Sequence, residues 1–555
     1  MLEVSSWKSE FDARNKRVLI LKILIVLLFK LILNKTFISI GGCYDTVKRN
    51  SLSKHFQFKN KEDLIYNNWI NESFFKPDNS KDKTYYIPMP PPNITGKLHL
   101  GHATFLTIQD FLTRFYRKQD YCTFWQPGTD HAGLATHQKI IESLPSPENY
   151  TQADYFKAAN KIKSKHQKII TNQMKKIGAS CDWDQEQYTL SDNFINASTY
   201  ALKKIQEAGL LYKKENDWYI SMKGMALELI NNINNDYFII NDEGSMNELL
   251  HMLNNIEDWC ISRQILWGAK MPIYTHKITK NIIILSDEEY DIEIHRDFIR
   301  EDSCFDTWFT SSLYPFASLG WPEKTKNFEK FYPANIIETG ADILFFWCAR
   351  MLMMGKFLTG KYPFKEIYLH GMCRDKEGRK MSKSLGNGID PLDIIEKYGA
   401  DALRFTILSK TTHKDIKLEE ENFSDSFKFI NKIWQSSRFF QIHFEKQNIE
   451  YKTLKNGDFE ERLMEIKKEF IKNANKRAFI DLTRSLQHAF KHEFCDEWIE
   501  NNKKSFFNGD KEIMQHGLYI LSEFINMFHC IIPFSTQEIY YSFFQEDIIT
   551  KEIKI

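Results

Sequence analysis

The chain's nine cysteines include not one C-x-x-C pair. That absence excludes a zinc knuckle and argues against a disulfide framework, so no structural zinc is expected and a reducing compartment fits best. An excess of charge is also missing: 74 Lys and Arg stand against 73 Asp and Glu, a formal net charge of +1. A nucleic-acid partner would have to be held by local basic patches, because there is no global positive field. No internal repeat is present. Long apolar runs are missing too, with one exception at residues 18–33, VLILKILIVLLFKLIL. Lys22 and Lys30 interrupt it, and the unbroken core at 23–29 is short for a bilayer span. Lys16 and Arg17 precede it, and residues 35–60 carry a single acid, Asp45, among Lys, Arg, Asn and Ser. The segment therefore reads as a leader directed to a mitochondrion or plastid, leaving a mature form with no stable membrane association. The alternatives are a membrane anchor, or an amphipathic extension on a cytoplasmic protein.

What is present is organised around residues 84–102, TYYIPMPPPNITGKLHLGH. Residues 84–87 form a short β run rich in Tyr and Ile. Pro90, Pro91 and Pro92 stiffen the loop that follows. After His99-Leu100-Gly101-His102, the stripe Phe105, Ile108, Leu112 and Phe115 predicts a helix. Strand, rigid loop and helix start make an anion site, since the first turn of a helix presents unpaired N–H groups. His99 and His102 share a face there, and Gly101 leaves room for a flat base. Two surface histidines near a loop are the plainer alternative.

Four further stretches carry chemistry. CTFWQPGTDHAG at 122–133 places Asp130 beyond a strand's carboxyl end, where a carboxylate can hold an ammonium group or cap the next helix. Residues 334–354 start a second α/β half, with a β run at 335–338. Asp342 then opens an apolar helix, where it can cap the helix or touch a ribose hydroxyl. IYLHGM at 367–372 is another strand running into a loop. RKMSKSLGN at 379–387 puts Lys380 and Lys383 on a polar loop that can close on a triphosphate.

P-x-x-N-x-x-G-x-L-H-x-G-H together with an intact K-M-S-K-S resembles the two signatures of class I aminoacyl-tRNA synthetases. The words PPPN, GTDHAG and DTWFTSS are similar to those of the valyl branch. The resemblance spans about 61–541. It implies an α/β Rossmann-like catalytic domain with a reduced central insertion, followed by an α-helical anticodon-binding bundle. The divisions expected are a leader at 1–60, the first catalytic half at 61–190, the insertion at 191–333, the second half at 334–415 and the bundle at 416–555. The implied activity is valine–tRNA ligation by a monomer that takes valine, ATP with Mg²⁺, and tRNA(Val).

By the same resemblance, His99, His102, Lys380 and Lys383 are catalytic. Gly101, Asp342, Gly371, Met372, Met381 and Ser382 join them around ATP. Pro90, Pro91, Asn93, Asp130, Trp267, Ile343 and Trp347 hold the amino acid, with no metal ligand among them. Two departures stand out. Ala208–Tyr212 runs into Asp217-Trp218 with only four residues between, which leaves no room for the family's editing domain. The family's C-terminal coiled-coil arm is also expected to be missing. A non-catalytic RNA-binding paralogue, another adenylate-forming ligase and an isoleucine-type enzyme are the competing readings. Intact HLGH and KMSKS count against the first, the helical C-terminal part against the second, and PPPN with GTDHAG against the third.

Overall fold

The Tyr- and Ile-rich run forms strand β1 (Thr84–Pro88), buried from Tyr85 onward. It pairs in parallel with β2 (Cys122–Gln126), Thr84 opposite Cys122 and Pro88 opposite Gln126. The connection between them is helix α1 (Leu100–Lys118), a crossover of the kind parallel strands require. A second parallel group contains β3 (Ile239–Ile240), β4 (Ile337–Gly340) and β5 (Glu366–His370), with β5 in the middle. Asn335 joins the two groups: its backbone N–H donates to Tyr86 O at 3.0 Å, and its side-chain oxygen accepts from Tyr86 N at 2.7 Å. The carboxyl ends of β1 and β4 thus lie side by side, the position where open α/β sheets bind ligands. The computed structural model describes residues 51–235, 237–286, 289, 296–375, 377–379, 381, 389–455 and 457–554.

The predicted leader up to residue 50 lies outside the described residues. Its expected boundary at 60 moves back, because residues 52–60 belong to the packed unit Leu52–Ile555. Leu52 N donates to Gln441 at 2.6 Å, Trp434 donates to Ser53 O at 2.9 Å, and a helix already starts at Phe58. No described helix is long and apolar enough to cross a membrane.

Between the two halves sits a small antiparallel ribbon of Leu211–Lys214, Asp217–Ile220 and Trp259–Cys260. Lys214 pairs with Asp217, so only Glu215 and Asn216 turn the chain, Glu215 taking a left-handed φ of 55°. A second ribbon is built on Ile273–His276, which pairs with Ile282–Ile284 and Phe298–Arg300. After the catalytic halves the chain is helical, from Glu420–Lys446 through Glu460–Asn475, Phe479–His488 and Lys511–Phe528 to Pro533–Phe544.

Helix α1 holds these parts together. Asp110, Arg114 and Lys118 are spaced by four, so they form one stripe, and all are buried. Asp110 accepts from Arg114 Nε at 2.7 Å, from Arg404 Nη2 at 2.5 Å and from Ser180 N at 2.7 Å. Burial pushes this carboxyl up, but the guanidiniums of Arg114 and Arg404 outweigh it and hold the pKa down at about 2. Lys118 donates to Asn526 Oδ1 at 2.7 Å and to the Ile548 and Lys551 carbonyls at 2.7 and 3.0 Å. Burial without an anionic partner pulls its pKa down to about 7. Alongside this stripe, Phe111 meets Phe479 and Phe115 meets Phe470, ring centroids 5.5 and 6.1 Å apart.

Removing one partner of a buried ion pair leaves the other charges without compensation. Asp110→Ala is therefore expected to lower the unfolding free energy by about 3 kcal/mol in urea titration at pH 7. In the wild-type protein the folded pKa of Asp110 lies below its unfolded value, so its contribution is present above pH 4 and is lost as pH falls through about 2. An unchanged urea midpoint at pH 7 would show that the pair does not hold the helix.

Candidate functional site

Helix α1 begins with a reciprocal cap made by its two histidines. Gly101 N donates to His99 Nδ1 at 3.1 Å, and His99 N donates to His102 Nδ1 at 3.3 Å. The rings sit 4.0 Å apart, centroid to centroid. With Nδ1 accepting from backbone in both rings, the proton of each neutral imidazole resides on Nε2. That is the donor each ring can turn to a ligand. A Cβ on Gly101 would stand 2.9 Å from His99 Cε1, so glycine is required for the His99 ring to fold back over the helix start.

The helix tip forms one wall of a cleft of about 320 Å³. Its lining includes His99, Gly101, His102, Gly340, Asp342, His370 and Met372. It also includes Pro90, Pro91, Trp308, Ile343 and Trp347, together with Asn93, Asp130 and Ser311. The two histidines, the two prolines, Asn93, Asp130, Gly101, Asp342, Ile343, Trp347 and Met372 are thus brought together from stretches more than 200 residues apart.

Asp130 is nearly buried, and three donors hold its carboxylate. Ser311 Oγ donates to Oδ2, while Thr307 Oγ1 and Ala132 N donate to Oδ1 at 3.1 and 2.7 Å. Asp130 therefore organises the turn into the next helix and still presents a carboxylate edge to the cleft. A parallel bridge between Asn93 and Asp130 fixes their separation. The short helix Thr307–Ser312 supplies both hydroxyls and Trp308. Its Ser311 carbonyl also accepts from Trp347 Nε1 at 3.2 Å.

Three expected residues are not part of this lining. Trp267 is buried, and its Nε1 donates to His131 O at 2.9 Å and braces the loop that carries Asp130. Trp308 lines the cleft. Gly371 is a site of backbone approach: a Cβ there would run into the Lys414 carbonyl oxygen, and its N donates to Thr412 O at 2.8 Å. Met381 is buried, its N donating to Cys373 O at 3.1 Å, and Cys373 itself lines the cleft. Lys380, Ser382 and Lys383 lie outside the described residues.

Sequence reading passed over Trp308, Ser311 and Thr307, although the phrase DTWFTSS that carries them was noticed. It also passed over His370, whose Nδ1 donates to the fully buried Glu338 at 2.5 Å. Beyond Asp342 the chain makes one tight turn at Ala341–Ile343 and a wide π-type turn at Leu344–Ala349 before regular helix resumes at Arg350. Such irregular turns recur at functional sites.

Residues 64–217 and 212–419 match the family described as "tRNA synthetases class I (I, L, M and V)". Residues 457–554 match "Anticodon-binding domain of tRNA ligase". The valine–tRNA ligase of Clostridium tetani is 28% identical over 700 aligned positions, covering 90% of this chain and 80% of that protein. The chloroplastic/mitochondrial valine–tRNA ligase 2 of Arabidopsis thaliana is 28% identical, covering 88% of this chain and 73% of its own. Among solved structures, a LeuRS–tRNA–LeuAMS ternary complex from Agrobacterium radiobacter K84 superposes with a TM-score of 0.74 at 14% identity, covering 90% of each chain. Methionyl-tRNA synthetase of Mycobacterium tuberculosis, in complex with methionyl-adenylate, gives a TM-score of 0.66 at 16% identity, covering 83% of this chain and 93% of its own.

Gly101→Ala is expected to swing the His99 ring off the helix start and break the cap. A crystal structure of the variant would show the rotated ring, and calorimetry should show affinity for inorganic pyrophosphate reduced on the order of tenfold. An unmoved ring with unchanged affinity would remove the glycine from the site.

Proposed function

The chain belongs to the class I tRNA synthetases (I, L, M and V), and on that premise we propose that it is a valine–tRNA ligase. The observation that carries this reading is the lining of one cleft. It combines two prolines, an isoleucine and two tryptophans with the Asp130 carboxylate and the two histidines of a helix start. The apolar residues suit a short branched side chain beside an ammonium group. The histidines suit phosphate oxygens.

The reaction has two steps. A carboxylate oxygen of valine attacks the α-phosphorus of ATP, and the bond to the pyrophosphate bridge breaks. A ribose hydroxyl at the 3′ end of tRNA(Val) then attacks the carbonyl carbon of valyl-adenylate, and AMP leaves. Neither step needs a nucleophile from the protein. The protein positions the reactants and stabilises charge as it develops. Asn93 and Asp130 hold the α-ammonium group. His99 and His102 donate to the phosphates, and Lys380 and Lys383 neutralise charge on the departing pyrophosphate. Met372 and the face of Gly101 border the adenine.

Mg²⁺ would arrive on the nucleotide and neutralise phosphate charge. The helical C-terminal part would bind the anticodon arm of tRNA. The protein acts as a monomer, and its N-terminal basic and apolar segment addresses it to an organelle.

The insertion sets the second feature. Nine-tenths of 555 residues is about 500, yet the alignment to the Clostridium protein runs over 700 positions, so about 200 positions of the relative have no counterpart here. The two family matches meet at 212–217, on the two-residue turn. We assign the missing stretch to the editing domain. Apolar pockets reject an added hydroxyl by only about a hundredfold, a value established for valine-specific synthetases themselves and not read from this chain.

ATP–pyrophosphate exchange across Val, Ile, Thr and Leu tests the reading, with valine expected to lead. Lys383→Ala should lower exchange with valine on the order of a hundredfold while valine affinity holds. Exchange that depends on isoleucine, or an unchanged rate in the variant, would overturn the corresponding assignment. Given threonine, ATP and tRNA(Val), the pure protein is expected to accumulate Thr-tRNA. If none persists although threonine is activated, the charged product is being cleared and the editing assignment is wrong.

A further inference from the structure

We propose that Ser311 is a specificity residue: its hydroxyl fills the site on the Asp130 carboxylate that a threonine hydroxyl would otherwise take, a role that rests on the ligase reading above. The helix Thr307–Ser312 carries four hydroxyls. Thr310 and Ser312 turn theirs back on the helix, donating to the Thr307 and Phe309 carbonyls at 2.9 and 2.7 Å. Thr307 and Ser311 are spaced by four and share a face, and both donate to Asp130 instead. The loop that carries Asp130 approaches this face closely, since a Cβ on Gly133 would stand 3.3 Å from Thr307 Cβ. Ser311 is spent at its carbonyl as well, which accepts from Trp347 Nε1 at 3.2 Å.

A carboxylate offers about four lone-pair sites. Three are taken in Asp130, by Thr307 Oγ1 and Ala132 N on Oδ1 and by Ser311 Oγ on Oδ2. His131 Nδ1 stands 3.5 Å from Oδ1 but bonds to Thr189 Oγ1 at 2.7 Å, so it leaves the count unchanged. One site on Oδ2 is left, and the charged ammonium group of an amino acid takes it. Threonine differs from valine by a hydroxyl on the carbon next to the one that bears the ammonium. That hydroxyl is within reach of the carboxylate that holds the ammonium. A second open site there would reward threonine with a charge-assisted hydrogen bond and cancel the rejection by the apolar residues of the cleft. A lysine or arginine in place of Ser311 would fill the site too, but it would neutralise the carboxylate and compete with the ammonium. A hydroxyl occupies the lone pair and leaves the charge in place. Asp130 and Ser311 both line the cleft, so loss of the hydroxyl opens its site to the substrate.

ATP–pyrophosphate exchange with valine, threonine and 2-aminobutyrate tests this in the wild type, Ser311→Ala and Thr307→Val. 2-Aminobutyrate is threonine without its hydroxyl and valine without one methyl. The wild type should use threonine no better than 2-aminobutyrate, because the added hydroxyl finds no acceptor. In Ser311→Ala threonine should gain on 2-aminobutyrate about tenfold in kcat/KM, while valine and 2-aminobutyrate keep their ratio. Thr307 is not in the cleft lining, so Thr307→Val should lower all three alike. Exchange with 2-aminobutyrate shows that each variant is folded. An equal loss with all three amino acids in Ser311→Ala would overturn the proposal and leave Ser311 as a support for Asp130 alone. A wild type that uses threonine better than 2-aminobutyrate would also overturn it, with no variant needed. Calorimetric binding of the same three amino acids requires neither ATP nor turnover. It decides the question even if exchange with valine is absent, an outcome that would sink the ligase reading alone. A wild type that binds none of the three would overturn both.

Discussion

A single buried carboxylate, Asp110, ties together three parts of the chain that are remote in sequence. It belongs to the helix that begins at the cleft, it pairs with Arg404 near the end of the second catalytic half, and Arg404 reaches the Ile531 carbonyl at 2.8 Å in the C-terminal part. The net stability of such a buried cluster is small, because desolvation cancels most of the attraction. What the cluster supplies is uniqueness: any other seating of the helix would strand a charge in an apolar interior. Asp110 is eight residues from His102, or about 12 Å along the helix. The cleft's donors are therefore placed by contacts with the bundle as much as by the strands beside them.

The direction of hydrogen bonding divides the cleft more sharply than charge does. Backbone N–H groups occupy Nδ1 of His99 and His102 and make both rings donors, whereas a carboxylate occupies Nδ1 of His370 and makes it an acceptor. The same side chain thus serves opposite purposes a few ångströms apart, and what bonds to its far nitrogen decides which. Asp130 carries a third setting. It is charged, yet three donors from Ser311, Thr307 and Ala132 hold it, so its burial costs little.

Local features were legible in the sequence and cross-chain pairings were not. The apolar stripe at 105, 108, 112 and 115 placed the signature helix, and the Tyr-rich run placed β1. The words around His99, Asp130 and Asp342 located most of the cleft. The sequence did not reveal that Trp267 braces the Asp130 loop through its bond to the His131 carbonyl, because a tryptophan beside a glycine carries no sign of its partner. Trp308 and Ser311 were passed over because their importance lies in contacts with a loop some 180 residues earlier. Glu338 and His370 read as ordinary strand residues until β4 and β5 pair and bring them together. The boundary near residue 60 was set too late because composition does not reveal that Leu52 and Phe56 pack on the bundle.

The reduced insertion follows a rule of its own. Two antiparallel strands that carried a large excursion have ends already in register, so the excursion can be replaced by the shortest turn that closes them. Here Lys214 pairs with Asp217, and the left-handed Glu215 has the backbone twist that two-residue hairpin turns favour. Ser262 and Gln264 donate to Asp217 at 2.7 and 2.9 Å and pin the strand just beyond the turn. The catalytic halves are tied to each other by Asn335 and the α1 stripe, both remote in sequence from this turn. On the proposed reading, discrimination between valine and threonine falls to the apolar residues of the cleft, which separate a methyl from a hydroxyl by only a few kcal/mol. Architecture and accuracy are thus separable in this fold, and the turn at Glu215 is where the chain separates them.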